Sequence, residues 1–205
     1  MISKTELRIL QAFLSDLTKG YSIRQLSREL ALAYPQTHRA VQSLLSKTLL
    51  HKEEKGKSWE LTLNLKKNTD ALVLAEMERK HDLLRKYPLL NILLKDLESL
   101  SMTPLICIIF GSYARGRVKK TSDVDLLLVI PEEYPSALFE KAVKNLLTIS
   151  QVDIQITTNK GFLLMWQHPL QLNVGNEILK KHIILWGAEA FFLLRKKHLW
   201  GETYA

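Results

Sequence analysis

Two short runs almost without polar side chains, Leu105 to Phe110 and Asp125 to Ile130, bracket a turn reading Gly111-Ser112-Tyr113-Ala114-Arg115-Gly116. Apolar runs of that length beside a glycine suit buried strands, so this segment predicts a covered sheet. Ser122-Asp123-Val124-Asp125 introduces the second run. Carboxylates at i and i+2 of an extended segment project from the same side. At the start of a buried strand they must be hydrated, paired or bound to a cation, because burying two unpaired like charges is very costly. A divalent ion meets that need, and Mg²⁺ prefers one or two carboxylates with phosphate oxygens and water. Two solvated acids at an exposed strand end would meet it as well.

The turn between the runs suits a phosphate. Gly111 can take backbone angles that other residues avoid and lets an anion approach the main chain. Ser112 offers a hydroxyl and an N–H at the expected start of a short helix. Arg115, Arg117, Lys119 and Lys120 follow closely. No Gly-Lys-Ser/Thr follows, so the turn is not a Walker A loop. A third acid lies downstream: Gln151 to Thr157 alternates Val152, Ile154 and Ile156 with Asp153 and Gln155. The segment reads as a half-buried strand with a carboxylate on its polar face. Alone, such an acid is a solvated edge residue; beside the first pair it becomes a third ligand or a general base.

The N-terminal third has a different rhythm. Leu7, Leu10, Phe13, Leu14 and Leu17 fall at helical spacing before Gly20, and Ser22 with Gln25 forms a capping box for a second helix. Pro35 is placed for the first turn of a third helix, with Val41, Leu44 and Leu45 inward and Gln36, Thr37, Arg39 and Gln42 outward. A hairpin is predicted from Leu49 to Glu53 and Ser58 to Leu63, joined across Glu54-Lys55-Gly56-Lys57. Of the net charge of +8, residues 1–67 hold 12 Lys and Arg against 6 Asp and Glu, and the remainder holds 17 against 15. Basicity gathered in one module suits a polyanion partner, because Lys and Arg release phosphate counterions.

Between the two parts, residues 70–100 read as helix in two pieces, since Pro88 disfavours continuity and pushes Tyr87 away from helical angles. Leu72, Met77, Leu83 and Leu84 form one apolar set and Leu89, Leu93, Leu94 and Leu97 another. With 46% hydrophobic and 24% charged residues the composition is that of a globular chain. The single cysteine, Cys107, has no disulfide partner. No apolar leader follows the N-terminus and no stretch reaches the roughly 18 apolar residues of a membrane span, so a soluble cytoplasmic protein is expected. His168 and His182 lack metal-ligand spacing and read as surface or packing residues. Trp166, Trp186 and Trp200 read as packing groups, Arg195-Lys196-Lys197 as the solvated end of a helix, and Glu132 and Glu133 as loop.

Gly-Ser-Tyr-Ala-Arg-Gly-Arg-Val-Lys-Lys-Thr-Ser-Asp-Val-Asp-Leu, with Asp153 in Val-Asp-Ile-Gln, resembles the DNA polymerase beta-like nucleotidyltransferase superfamily, most closely its minimal prokaryotic members. The tail is similar too: an Ile- and Leu-rich helix running into Leu185-Trp186-Gly187, with Phe191 or Phe192 behind it. The resemblance covers roughly residues 90–193 and implies an α+β domain, a mixed sheet flanked by helices. It implies Asp123, Asp125 and Asp153 as catalytic residues holding two Mg²⁺ ions, with Asp153 helping to deprotonate the acceptor. Gly111 and Ser112 would position the β- and γ-phosphates, and Arg115 would assist or be solvated. The implied reaction moves a nucleoside monophosphate from a nucleoside triphosphate, ATP being the expected donor, to a hydroxyl of a protein or small molecule. The first 67 residues resemble a winged helix-turn-helix, three helices and a β-hairpin. That implies DNA contacts from Gln36, Thr37, Arg39, Gln42, Lys55 and Lys57. The domains expected are 1–67, a helical connector over 68–88, and a transferase domain over 89–205. A rival expectation keeps DNA binding and reduces the second domain to nucleotide sensing or assembly. Reading a palindrome would favour a homodimer, though no coiled-coil heptad forces one.

Overall fold

The computed structural model describes residues 1–56, 58–66 and 69–201. The chain divides into two compact units, Met1–Glu76 and Met77–Ala205, with the division inside helix α4 (Asp70–Lys86).

In the first unit, α1 (Lys4–Leu14), α2 (Ile23–Glu29) and α3 (Tyr34–Ser46) precede a hairpin of β1 (Leu50–Lys55) and β2 (Ser58–Leu63). The predicted capping box is present: the Ser22 hydroxyl accepts from the Gln25 N–H, and Gln25 Oε1 accepts from the Ser22 N–H at 2.7 Å. A second, unpredicted box joins Ser3 and Glu6 at the start of α1. Helix α1 stops at Leu14, short of Gly20. The Asp16 carboxylate takes the Thr18 N–H and hydroxyl, offering the chain a local turn in place of another helical one. Tyr21 pairs with Leu61 through two backbone hydrogen bonds of 2.9 and 2.8 Å, and its ring meets Phe13 edge-on. Ile9, Leu10, Phe13, Leu14, Leu26, Val41, Leu44 and Leu61 fill the space between these elements.

Glu6 is buried in this unit, with Lys47 Nζ 2.5 Å from its carboxylate. Burial would raise the Glu6 carboxyl. Hydrogen bonds from Lys47, the Ser3 N–H and the Ser43 and Ser3 hydroxyls outweigh it and hold the pKa at about 2. A folded pKa below the unfolded one stabilises above the unfolded value and is lost as pH falls through the folded one. Stability should therefore drop by about 2–3 kcal/mol as pH falls from roughly 5 to 2. Urea titrations of the wild type and Glu6→Gln across that range check this, and the variant should lack the step.

In the second unit, Pro88 separates α4 from α5 (Leu89–Glu98), as predicted. Leu93, Leu94 and Leu97 are buried, whereas Met77 and Leu89 are exposed. The sheet runs β5 (Val152–Thr158), β4 (Val124–Ile130), β3 (Ile106–Ile109), β6 (Ile183–Trp186) in spatial order. It is mixed: β4 pairs parallel with β5, while β3 pairs antiparallel with both β4 and β6. The Ile- and Leu-rich helix expected to run into Leu185-Trp186-Gly187 is instead α9 (Val174–Lys180) followed by strand β6. Ile183 and Ile184 are β-branched and pair beside β3, where burial favours extended backbone.

Alternation along the strands sorts the two faces of the sheet. Val124, Leu126, Leu128 and Ile130 join Val152, Ile154 and Ile156 in one cluster with Leu90, Leu93, Leu97, Phe139 and Val143, the last two from α7 (Ser136–Leu146). Asp125 and Asp153 consequently point to the other face, where α8 (Asn159–Gln167) and α10 (Ala188–Trp200) contact the sheet. There Phe162, Trp166 and Phe191 pack ring to ring. His182 is fully buried against Phe191, as a packing residue should be. Burial holds its pKa down at about 3, and its Nδ1 lies 2.6 Å from the Ile178 carbonyl, so the neutral ring donates there. Arg195 departs from expectation: its guanidinium lies over the Trp166 ring rather than in solvent, and burial lowers its pKa to about 10. No helix among the described residues is long and apolar enough to cross a membrane.

Candidate active site

Strand β3 ends at Ile109, and the chain turns through Phe110 into a single helical turn, α6 (Gly111–Ala114). Gly111 sits at φ +61°, in the region that side chains avoid. A Cβ at this position would lie 1.8 Å from Asp125 Oδ2 and 2.6 Å from its Cγ. The carboxylate of Asp125 thus fills the space that the missing side chain leaves. It is held there by the Ser112 N–H, and the Phe110 N–H donates to the Asp125 carbonyl at 3.1 Å.

The parallel pairing of β4 and β5 places Asp125 directly beside Asp153. Asp123, two residues earlier on the same side, is exposed just before β4. Asp125 is half-buried, and its carboxyl is raised above the ordinary range. Burial is the main cause, followed by the negative charges of Asp153, Glu177 and Asp123, against the Ser112 N–H that lowers it. The site therefore concentrates negative charge beside a backbone turn. A carboxylate cluster with a half-buried member suits a hard cation. Among the described residues, however, no three His, Cys, Asp or Glu side chains are gathered as a ready metal-binding group.

Ser112 has given its N–H to Asp125, so that donor is occupied. Its hydroxyl is buried and has no partner among the described residues. An unpaired buried hydroxyl costs free energy, and an incoming oxygen anion would satisfy it. Arg115 is exposed and pairs with Glu177 of α9. Glu177 is the acid that sequence reasoning missed. It lies 62 residues from Arg115 in a short helix, and no local spacing marks it. Arg117, Lys119 and Lys120 are exposed on the loop that leads to Asp123.

The residues expected to meet DNA separate into groups. Arg39 and Gln42 are exposed on α3, and Gln36 is exposed with its amide donating to the Thr5 hydroxyl at 2.9 Å. Thr37 does not face outward. It is fully buried and its hydroxyl donates to the Ala33 carbonyl, because Thr37, Ala40, Val41 and Leu44 make the inward stripe of α3. Lys55 is exposed and paired with Glu60 at 2.9 Å. Lys57 lies outside the described residues.

No curated protein and no solved structure matches the chain. Residues 90–185, which carry Asp123, Asp125 and Asp153 together with the Gly111-Ser112 turn, match the family model described as nucleotidyltransferase domain.

Proposed function

We propose that the second unit transfers a nucleoside monophosphate from a Mg²⁺-bound nucleoside triphosphate, ATP first among them, to an acceptor hydroxyl on a protein or small molecule. The observation that carries this reading is the pairing of Asp125 with Asp153 beside the Gly111-Ser112 turn. Asp123, Asp125 and Asp153 would hold Mg²⁺, whose chemistry is to neutralise charge on the attacked phosphate and the leaving oxygen. The Ser112 hydroxyl donates to a phosphate oxygen, and Arg115 with the exposed loop cations offsets the charge of the leaving end. Asp153, exposed on the edge strand, accepts the proton as the acceptor oxygen bonds to the α-phosphorus. The bond from that phosphorus to the bridging oxygen breaks, and pyrophosphate carries the electron pair away.

Asp125→Asn tests the reading. It keeps an acceptor for the Ser112 N–H but removes the charge. Pyrophosphate release with ATP, Mg²⁺ and cell extract as acceptor source should fall at least about 100-fold, with unchanged folding. Intact-mass shifts would identify the modified acceptor. Metal-dependent nucleotide binding without release in the wild type would instead make this unit a sensor.

The first unit serves as a DNA-binding module in this reading, supported by three helices, a hairpin, the local excess of cations and the outward Arg39 and Gln42 of α3. Arg39→Ala should weaken binding to duplex DNA about ten-fold at low salt and make the salt dependence shallower. Fluorescence anisotropy at several salt concentrations measures both.

A further inference from the structure

A cleft of about 450 Å³ borders Arg115 of the turn and is lined further by residues 169–173 and, from α9, Val174, Asn176, Glu177 and Lys180. Its volume lies in the range that small ligands occupy, roughly 300–1,000 Å³. Two leucines on its rim, Leu170 and Leu172, are 98% and 105% exposed. That exposure belongs to a built loop. Asn176 Nδ2 donates to the His168 and Gln171 carbonyls at 2.7 and 2.9 Å, and Asn173 Nδ2 donates to the Met165 carbonyl at 3.0 Å. Asn173 Oδ1 caps α9 by accepting from the Asn176 N–H, and Trp166 Nε1 donates to the Gly175 carbonyl. The loop is therefore stapled to α8 and α9 while presenting two apolar side chains to solvent, and covering them with a flat apolar group would be favourable.

The cleft joins the acid site through one ion pair. Arg115 ends the turn that begins at Gly111, and its guanidinium meets Glu177, whose charge also acts on Asp125. Both partners are partly exposed, at 46% and 36%, and an exposed pair of this kind is weak and easily exchanged. A phosphate chain offers Arg115 more negative charge than one carboxylate does, in a geometry that a guanidinium grips well.

Resting on the transferase reading, we propose that this cleft takes the nucleoside end of the donor nucleotide, its base against Leu170 and Leu172, and that the Arg115–Glu177 pair latches it. Glu177 holds Arg115 when no nucleotide is present. The incoming phosphates take Arg115 over, and the opened cleft receives the base. Glu177 is on this account a positioning residue that sets the affinity for phosphate.

The test is calorimetric binding to the full chain with Mg²⁺, using two probes. One is an ATP analogue with a methylene bridge between the α- and β-phosphates; the other is inorganic tripolyphosphate. Leu170→Ser/Leu172→Ser, at exposed positions, should weaken the analogue about ten-fold or more and leave tripolyphosphate unchanged. Glu177→Gln should tighten both probes several-fold, since Arg115 is freed. Unchanged analogue affinity in the leucine variant overturns the proposal, and if transfer to an acceptor is lost at the same time, the cleft belongs to the acceptor. Unchanged or weaker tripolyphosphate binding in Glu177→Gln also overturns it, by removing the latch. If neither probe binds the wild type, the transferase reading itself fails and the cleft proposal falls with it. Failure of the cleft variants alone, with Asp125→Asn still abolishing release, leaves that reading standing.

Discussion

Gly111→Ala is expected to abolish transfer while leaving the chain folded. The added Cβ would lie 1.8 Å from Asp125 Oδ2, so the carboxylate must rotate away from the turn. Its bond from the Ser112 N–H goes with it, and so does its alignment with Asp153 on the neighbouring strand. A displacement of about 1 Å at a reacting centre can cost roughly 100-fold in rate. Pyrophosphate release should therefore fall at least about 100-fold. The stability loss should be smaller, about 1–3 kcal/mol, from the strained φ and the moved carboxylate. A double-variant cycle separates the two contributions. In an Asp125→Ala background the clashing atoms are gone, so the stability cost of Gly111→Ala should shrink to that of the backbone angle alone. Activity would stay absent. Equal stability costs in both backgrounds would mean that Asp125 does not occupy the glycine's side-chain space.

Gly187→Ala should act in the opposite sense, on stability first. Gly187 lies at φ +77° between β6 and α10. A Cβ there would meet the Leu105 carbonyl oxygen at 2.1 Å and Ile106 Cα at 2.8 Å. These are backbone atoms at the entrance to the central strand β3, and no rotamer change can clear them. Nearby, Trp186 Nε1 donates to the Pro104 carbonyl at 3.1 Å, tying the same two segments together. Relief requires β6 to leave its register against β3. The cost should reach about 3 kcal/mol or more, lowering the melting temperature of the second unit by roughly 10 °C. Thermal unfolding followed by circular dichroism measures it. The transition of the first unit should stay in place, and a shift of less than about 2 °C would show that the strand edge yields easily.

Much of the molecule was legible because its signals are short-range. The Ser22–Gln25 capping box, Pro35 in the first turn of α3, the break at Pro88 and the alternation of Val152, Ile154 and Ile156 all depend on residues two to four apart. Thr37 carries both a periodicity that points inward and a polarity that points outward, and the periodicity wins. Its spacing to Val41 and Leu44 puts it on the buried stripe, but its polarity suggested the outward face. A threonine can bury its hydroxyl by returning a hydrogen bond to the carbonyl four residues back, as Thr37 does to Ala33.

By itself, then, the sequence determined strands β1 to β5, the start of α2 and the break at Pro88, since periodicity and caps are properties of neighbouring residues. Tertiary structure alone decided that Asp125 stands beside Asp153, because strand register is set by pairing across the sheet. It alone decided that Arg195 lies on Trp166 and that Arg115 meets Glu177 from 62 residues away. Those contacts join segments with no shared periodicity, and only the packing of a mixed sheet against its helices brings them within reach.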